Sequence, residues 1–439
     1  MPRPSIQGDN EFAQFLQALP PEWEALMREL GAFTYAGKIP SPQELLRTIF
    51  LYCGPDQSLR EVAGTLTLQT ERITAQAVWK RLHRCMPFLA ALVKQQLALG
   101  ELPPLPQHLR FLAGDGTTVE CPGATGADYR LHLVINLVNL RFHEVHISSY
   151  KQGESLKHYH LQAGDVAVVD QGYCSYAGIL EAVYAKGADV IVRWNHNRSL
   201  YDPQHKSRAL ELCAKLKDQQ PGSLTSFPVL LQYTATSKYK DKRELVGYLH
   251  VYRMTAKEAQ DARKRVSRQH QKKQRKISEK TLFLRQFVMV FTSLAPDVLS
   301  GETVLAIYRC RWQIELAIKR MKSLININKL RAKRGSKLAE VYLYGKVLYL
   351  LLVEQDMRTT FGHEWGGLDR ERRGTWWRLY KLLKARLDAI LMARWAWQAE
   401  AVTACLHVLM ERPRKRKLQS LPMRVVALQH SLTGFPEAA

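Results

Sequence analysis

The chain has 439 residues, enough for two or three domains, and 46% of them are hydrophobic, as in an ordinary folded protein. Lysine and arginine number 64 against 40 acids, and a formal charge of +24 calls for a polyanionic partner, either nucleic acid or a membrane surface. Composition and pattern disfavour the membrane. Met1–Ala13 lacks the apolar core of a signal peptide, and the most apolar run, Val341–Val353, is short and broken by Lys346. The seven cysteines, at 53, 85, 121, 174, 213, 310 and 405, include no C-x-x-C pair, which argues against a zinc site or a disulfide framework and fits a reducing cytoplasm.

Residues 1–105 are predicted to be helical. Within them Ser58–Ala63 has the pattern of a short capped helix, and Thr74–Arg84 that of a second with Thr74 as its cap. The pair suits a helix-turn-helix that presents Lys80 and Arg81 to a major groove, with a plain helical hairpin as the alternative. After the proline-rich loop Leu102–Pro106 the pattern changes to strands. Arg110–Asp115 is expected as a strand ending on an acid, Leu131–Val138 and Phe142–Ile147 as a hairpin, and Asp165–Asp170 as a buried strand ending on a second acid. A helix over about 175–186 and the strand Asp189–Arg193 complete an α/β order with helices expected on the sheet faces. Residues 196–298 contain three further candidate strands, Val229–Tyr233, Leu245–Tyr252 and Phe287–Thr292, and a basic run from Arg263 to Lys280. That run is a solvated face or a contact for a DNA backbone. The basic segment Arg412–Lys417 near the end of the chain admits the same two explanations.

Tyr308, Arg311, Glu315 and Lys322 are spaced to share one stripe of a helix, with Lys319 beside them. A lone stripe of this kind is usually a surface laced with ion pairs. Here two apolar strands each deliver an acid, Asp115 and Asp170, ahead of it. If the strands are neighbours, a helix across the sheet brings Glu315 to both. Three such carboxylates repel unless divalent cations lie between them, and hard oxygen donors select Mg²⁺ or Mn²⁺. Two ions about 3.5–4 Å apart activate a water or a 3′-hydroxyl and stabilise the departing oxygen in phosphoryl transfer. Each acid also has a plain structural explanation: Asp115 as a turn residue, Asp170 as a helix cap, Glu315 as an ion-pair partner of Arg311 or Lys319.

Tyr308, Arg311, Glu315 and Lys322 match in type and spacing the Tyr-x2-Arg-x3-Glu-x6-Lys signature of bacterial DDE transposases of the fourth insertion-sequence family. Asp115-Gly116-Thr117 and Asp170-Gln171-Gly172-Tyr173 match the contexts of that family's two aspartates, and the resemblance spans roughly residues 40–400. It implies an α/β, ribonuclease H-like catalytic core (106–195 and 299–400) interrupted by a β-rich insertion (196–298). A DNA-binding helical domain (1–105) would precede it, and a helical C-terminal region would end in a basic tail (401–439). It further implies that Asp115, Asp170 and Glu315 hold two Mg²⁺ ions, replaceable by Mn²⁺, and that Tyr308, Arg311 and Lys322 grip the transposon end. The partner would be double-stranded DNA, both transposon ends and target, bound by a homodimer at the nucleoid of a bacterial cytoplasm. Hairpin-forming relatives wedge a flipped base with a tryptophan. The candidate strands of residues 196–298 contain none, which leaves Phe287 or Tyr248 to stack, although a strand phenylalanine also suits a core. Two alternatives share these features: an inactive end-binding protein or transposition inhibitor, and a nuclease without strand transfer.

Overall fold

The computed structural model describes residues 7–69, 73–99, 109–234, 242–272, 274, 276–361, 373–374, 376–392 and 410–411. The helices α1 (Gln7–Leu16), α2 (Trp23–Glu29), α3 (Pro42–Cys53), α4 (Leu59–Gln69), α5 (Ala75–Leu82) and α6 (Met86–Leu99) come first. The starts of α3, α4 and α5 follow from short polar residues that satisfy orphan amides. Ser41 accepts the Glu44 amide at 3.1 Å, Ser58 and Glu61 cap each other reciprocally, and Thr74 accepts the Ala77 amide at 3.2 Å.

The sheet is built from β1 (Arg110–Val119), β2 (Tyr129–Asn136), β3 (Phe142–Ser149), β4 (Asp165–Val169), β5 (Asp189–Arg193), β6 (Leu224–Thr234), β7 (Lys242–Arg253) and β8 (Phe287–Thr292). Its order is β3-β2-β1-β4-β5-β8-β7-β6. β1 is antiparallel to β2 and parallel to β4, which is parallel to β5. β8 returns antiparallel to β5, so β8, β7 and β6 extend the same sheet. β4 is buried at every residue, as a central parallel strand covered on both faces must be. Between these strands lie α7 (Tyr176–Leu180), which continues as a π-helical turn over Glu181–Ala185, α8 (Leu212–Leu216), α9 (Ala256–Lys272) and α10 (Glu279–Leu284). The chain then runs through α11 (Gly301–Cys310), α12 (Trp312–Leu324), α13 (Lys337–Phe361), β9 (Arg373–Gly374), α14 (Trp376–Met392) and β10 (Met410–Glu411).

Alternate residues of the central strands β1, β4 and β5 face two separate apolar cores. Phe111, Ala113, Val166, Val168 and Ile191 join a core shared with α1–α6 and α11–α14, whereas Leu112, Ala167, Val169, Val190 and Val192 join one shared with α7, α8 and α10. Two expectations are corrected. β1 does not end on Asp115: it stays paired with β2 as far as Val119, with Asp115 opposite Leu133. The helix carrying the Tyr–Arg–Glu–Lys stripe is two helices, divided at Arg311. Of the basic run, Arg263–Lys272 belongs to α9, while Arg412–Lys417 lies outside the described residues. Among the described residues no helix is long and apolar enough to cross a membrane.

Candidate active site at the carboxyl end of the central strands

Gly114 on β1 is paired with Val169 on β4 in parallel register. The next residue on each strand is an acid, so Asp115 and Asp170 emerge side by side at one level. The Asp115 carboxylate accepts the Gly116 amide at 2.8 Å and Asp170 accepts the Tyr308 hydroxyl at 2.9 Å. Asp170 precedes a 3₁₀ turn at Gln171–Tyr173, yet its side chain makes no capping bond there. It is turned to α11 instead.

The break between α11 and α12 places the third acid. α11 crosses β4, β5 and β8, whereas α12 lies over β1 and β2. The backbone tightens at the junction, where the Arg311 amide bonds to the Tyr308 carbonyl and the Ile314 amide to the Arg311 carbonyl, each at 3.1 Å. Arg311 is 8% exposed, and its guanidinium sits inside the cluster. One Nη lies 3.7 Å from Asp115 Oδ2 and the other 2.5 Å from Glu315 Oε1. Arg311 thus joins the first and third acids, and Tyr308 joins the second to the same helix pair.

Burial dominates the electrostatics. It pushes the Asp115 carboxyl up to about 6, against the pull of the Gly116 amide and Arg311, with Glu154 and Glu315 adding to the rise. Burial opposes the charge on Arg311, but Tyr308, Asp170 and Glu315 outweigh it and raise the guanidinium above its ordinary value. The Tyr308 hydroxyl is pushed up to about 12 by burial and by Asp170, so near neutrality it keeps its proton and donates it to that carboxylate.

Other predicted residues stand apart. Lys322 is half-buried on α12, and Lys319 is exposed with its Nζ 4.3 Å over the Trp312 ring. Lys80 is exposed on α5, whereas Arg81 lies 3.9 Å over the ring of Tyr35. Phe287 is buried against Phe283 at 5.3 Å, a core residue, and Tyr248 is half-buried on β7. Sequence reasoning missed Glu154, a fourth carboxylate close enough to Asp115 to raise its pKa. Arg130 holds it at 2.9 Å, and it lies against Gly172, where a Cβ would collide with its carboxylate. The only local signal is that glycine, two residues after Asp170.

A transposase DDE domain matches residues 106–351. The chain is similar to InsL of insertion sequence element IS186A from Escherichia coli K12, 27% identical over 337 residues that span 76% of this chain and 90% of that protein. It is equally similar to the transposase for insertion sequence element IS421 of Escherichia coli, 27% identical over 339 residues with the same coverage. The transposase for insertion sequence element IS231F of Bacillus thuringiensis subsp. israelensis is 28% identical over 204 residues, which are 45% of this chain and 42% of that protein. The domain match alone takes in more than half of the sequence, from the approach to β1 into α13, and the chain therefore belongs to the DDE transposase family of insertion sequences, enzymes of DNA transposition.

Proposed function

We propose that the chain binds the terminal inverted repeats of its own insertion sequence, cuts the DNA there and joins the freed 3′ end to a target, with Asp115, Asp170 and Glu315 as the catalytic acids. The supporting observation is their convergence from β1, β4 and α12 on the Arg311–Tyr308 pair. Among the described residues no three ligating side chains are close enough as they stand to hold a metal ion. The guanidinium between Asp115 and Glu315 stands in for the positive charge these carboxylates need, and hard oxygen donors fit Mg²⁺ or Mn²⁺. Held by the three carboxylates, a pair of such ions supplies activation of a water or 3′-hydroxyl and neutralisation of the departing oxygen. Tyr308 and Arg311 fix the directions of the carboxylates. Lys319 and Lys322, one and two turns beyond Glu315 on α12, would follow the phosphates of the cut strand.

Residues 196–298 serve as an insertion that lengthens the core sheet beyond β5. If cleavage proceeds through a hairpin, Tyr248 is the remaining candidate to stack on a displaced base, since Phe287 is core. Two copies would hold the two ends. A repeat duplex labelled at its 5′ end and incubated with protein and Mg²⁺ should be nicked at the repeat boundary and then joined to target. Tight binding without cleavage in either Mg²⁺ or Mn²⁺ would replace this function with inactive end binding. Cleavage without joining would make the protein a nuclease.

Two further outcomes are expected. Asp115 must shed its proton to act, so cleavage should fall as pH drops through about 6. Tenfold more Mg²⁺ should move that fall to lower pH, and a rate flat from pH 5 to 8 would contradict the assignment. In the helical domain, Lys80→Ala should weaken repeat binding and reduce the salt slope by about 0.9, the value for one lost phosphate contact. Arg81→Ala should also lower thermal stability, because its guanidinium packs on Tyr35. An unchanged salt slope for Lys80→Ala would remove α5 from the DNA.

A further inference from the structure

Crossing the sheet away from Asp170, the next strand end is Arg193, the last residue of β5. β8 is antiparallel to β5, with Arg193 opposite Val290, so the start of β8 lies at this same end. Arg285, two residues before β8, and Lys280, within α10, are carried there with it. His196, Arg198, Ser278, Lys280 and Thr281 are among the residues that line a cavity of 330 Å³. Its one acidic lining residue is Glu211. Among the described residues Glu211 forms no ion pair with these cations, and neither Arg193, Lys280 nor Arg285 has a carboxylate partner.

The arrangement is costly for a protein without a ligand. The Nε of Arg285 is buried and has no hydrogen-bond partner. Burial and the facing charge of Arg193 lower its pKa, and burial with Arg285 and Lys280 lowers that of His196. Like charges gathered in a partly desolvated place, with a donor left over, match an anion with several oxygens. Neighbouring strands are about 4.8 Å apart, so β5 and β8 place these cations roughly 5 and 10 Å across the sheet from the strand of Asp170. One strand of a duplex advances about 3.4 Å per nucleotide.

We propose that Arg193, Lys280 and Arg285 form a phosphodiester-binding site that grips the DNA strand two or three nucleotides from the bond cut at the three acids. The site rests on the transposase function proposed above. It adds a second grip, separate from α12, that fixes the direction in which the strand crosses the sheet.

A methylphosphonate scan tests it. Terminal-repeat duplexes, each with one neutral linkage within four positions of the boundary, are titrated against the full-length protein in metal-free buffer, where no cutting intervenes. One or two linkages should weaken wild-type binding about tenfold, the scale of a charge-assisted contact. In Arg285→Gln, which keeps a planar donor without the charge, the penalty at that linkage should shrink below twofold while the other positions keep theirs. The free variant should melt no lower than wild type, because a like-charge repulsion has gone. Lys280→Ala should lose the penalty at the same or an adjacent linkage. An unchanged profile in both variants, with wild-type cleavage intact, sinks this site alone. A lower melting temperature for Arg285→Gln would make the guanidinium structural and overturn the proposal. A wild-type protein that neither binds nor cuts the repeat sinks the proposed function and this site together.

Discussion

Glu315→Gln, Asp170→Asn and Asp115→Asn should each reduce Mg²⁺-dependent cleavage of the repeat duplex by about a thousandfold or more, since several kcal/mol of charge stabilisation is removed and each 1.4 kcal/mol is tenfold in rate. Binding to the uncut end in metal-free buffer should stay within about threefold of wild type, since no direct phosphate contact is deleted. The amides are chosen to separate charge from shape. A glutamine in place of Glu315 can still accept the bond that Arg311 gives at 2.5 Å, and an asparagine in place of Asp170 can still accept the Tyr308 hydroxyl at 2.9 Å. Tyr308→Phe removes only the second of these and should cost about tenfold, the worth of one hydrogen bond to a charged group. Denaturing gels of a single-turnover reaction give the rates, and filter binding gives the affinities. Retained cleavage in any one acid variant would sink the assignment of that residue. Loss of binding together with cleavage would make the acid an anchor for Arg311 rather than part of the chemistry.

Parts of this site are legible in the sequence because they rest on local pattern. Asp165–Val169 is an unbroken apolar run after its opening acid, which is how a strand buried on both faces must be written, and the residue after it is Asp170. The spacing of Tyr308, Arg311 and Glu315 likewise puts them on one side of any helix-like backbone. That spacing survives the break at Arg311, which is why the break itself is invisible: the turn tightens by one hydrogen-bond step without moving the side chains off their stripe. The sequence predicts an early stop for β1 because Gly114 and Gly116 flank Asp115, and glycine usually punctuates. Their reason is lateral. A Cβ at Gly114 would stand 2.7 Å from the Tyr159 ring, and Gly116 lies beneath Glu154. Both neighbours come from the segment after β3, so nothing beside Asp115 in the sequence announces them. Arg193 and Arg285 meet for the same kind of reason, through the antiparallel return of β8, a pairing fixed by the fold and absent from either local sequence.

Asp56→Asn should lower the free energy of unfolding by about 3 kcal/mol, the lower end of the cost of breaking a buried ion pair by removing one partner. Lys346 is wholly buried in the middle of α13, where its Nζ donates to Asp56 Oδ1 at 2.5 Å and to the carbonyl of Ile325. Tyr342 donates to the same oxygen at 2.6 Å, and Asn326 donates to Oδ2 at 3.3 Å. Asparagine is the variant of choice because Asp56 has φ +61°, a left-handed conformation that asparagine tolerates, so the loss measures charge rather than backbone strain. Burial already lowers the pKa of Lys346, and Asp56 opposes that fall. Without Asp56 the folded-state pKa drops further below the unfolded value, and the unfolded chain binds more protons than the folded one. The variant's deficit should therefore shrink as pH rises from 7 to 9. Lys346→Met should cost less, since Asp56 keeps two neutral donors, and joining it to Asp56→Asn should recover part of the loss. The pair ties the α3–α4 turn to Ile325, the C-cap of α12, and so braces the helix of Glu315 against the N-terminal helices. Urea denaturation at two pH values decides the matter. A deficit below about 1 kcal/mol, or one that stays flat from pH 7 to 9, would mean that Lys346 is buried without its charge and that the brace is only packing.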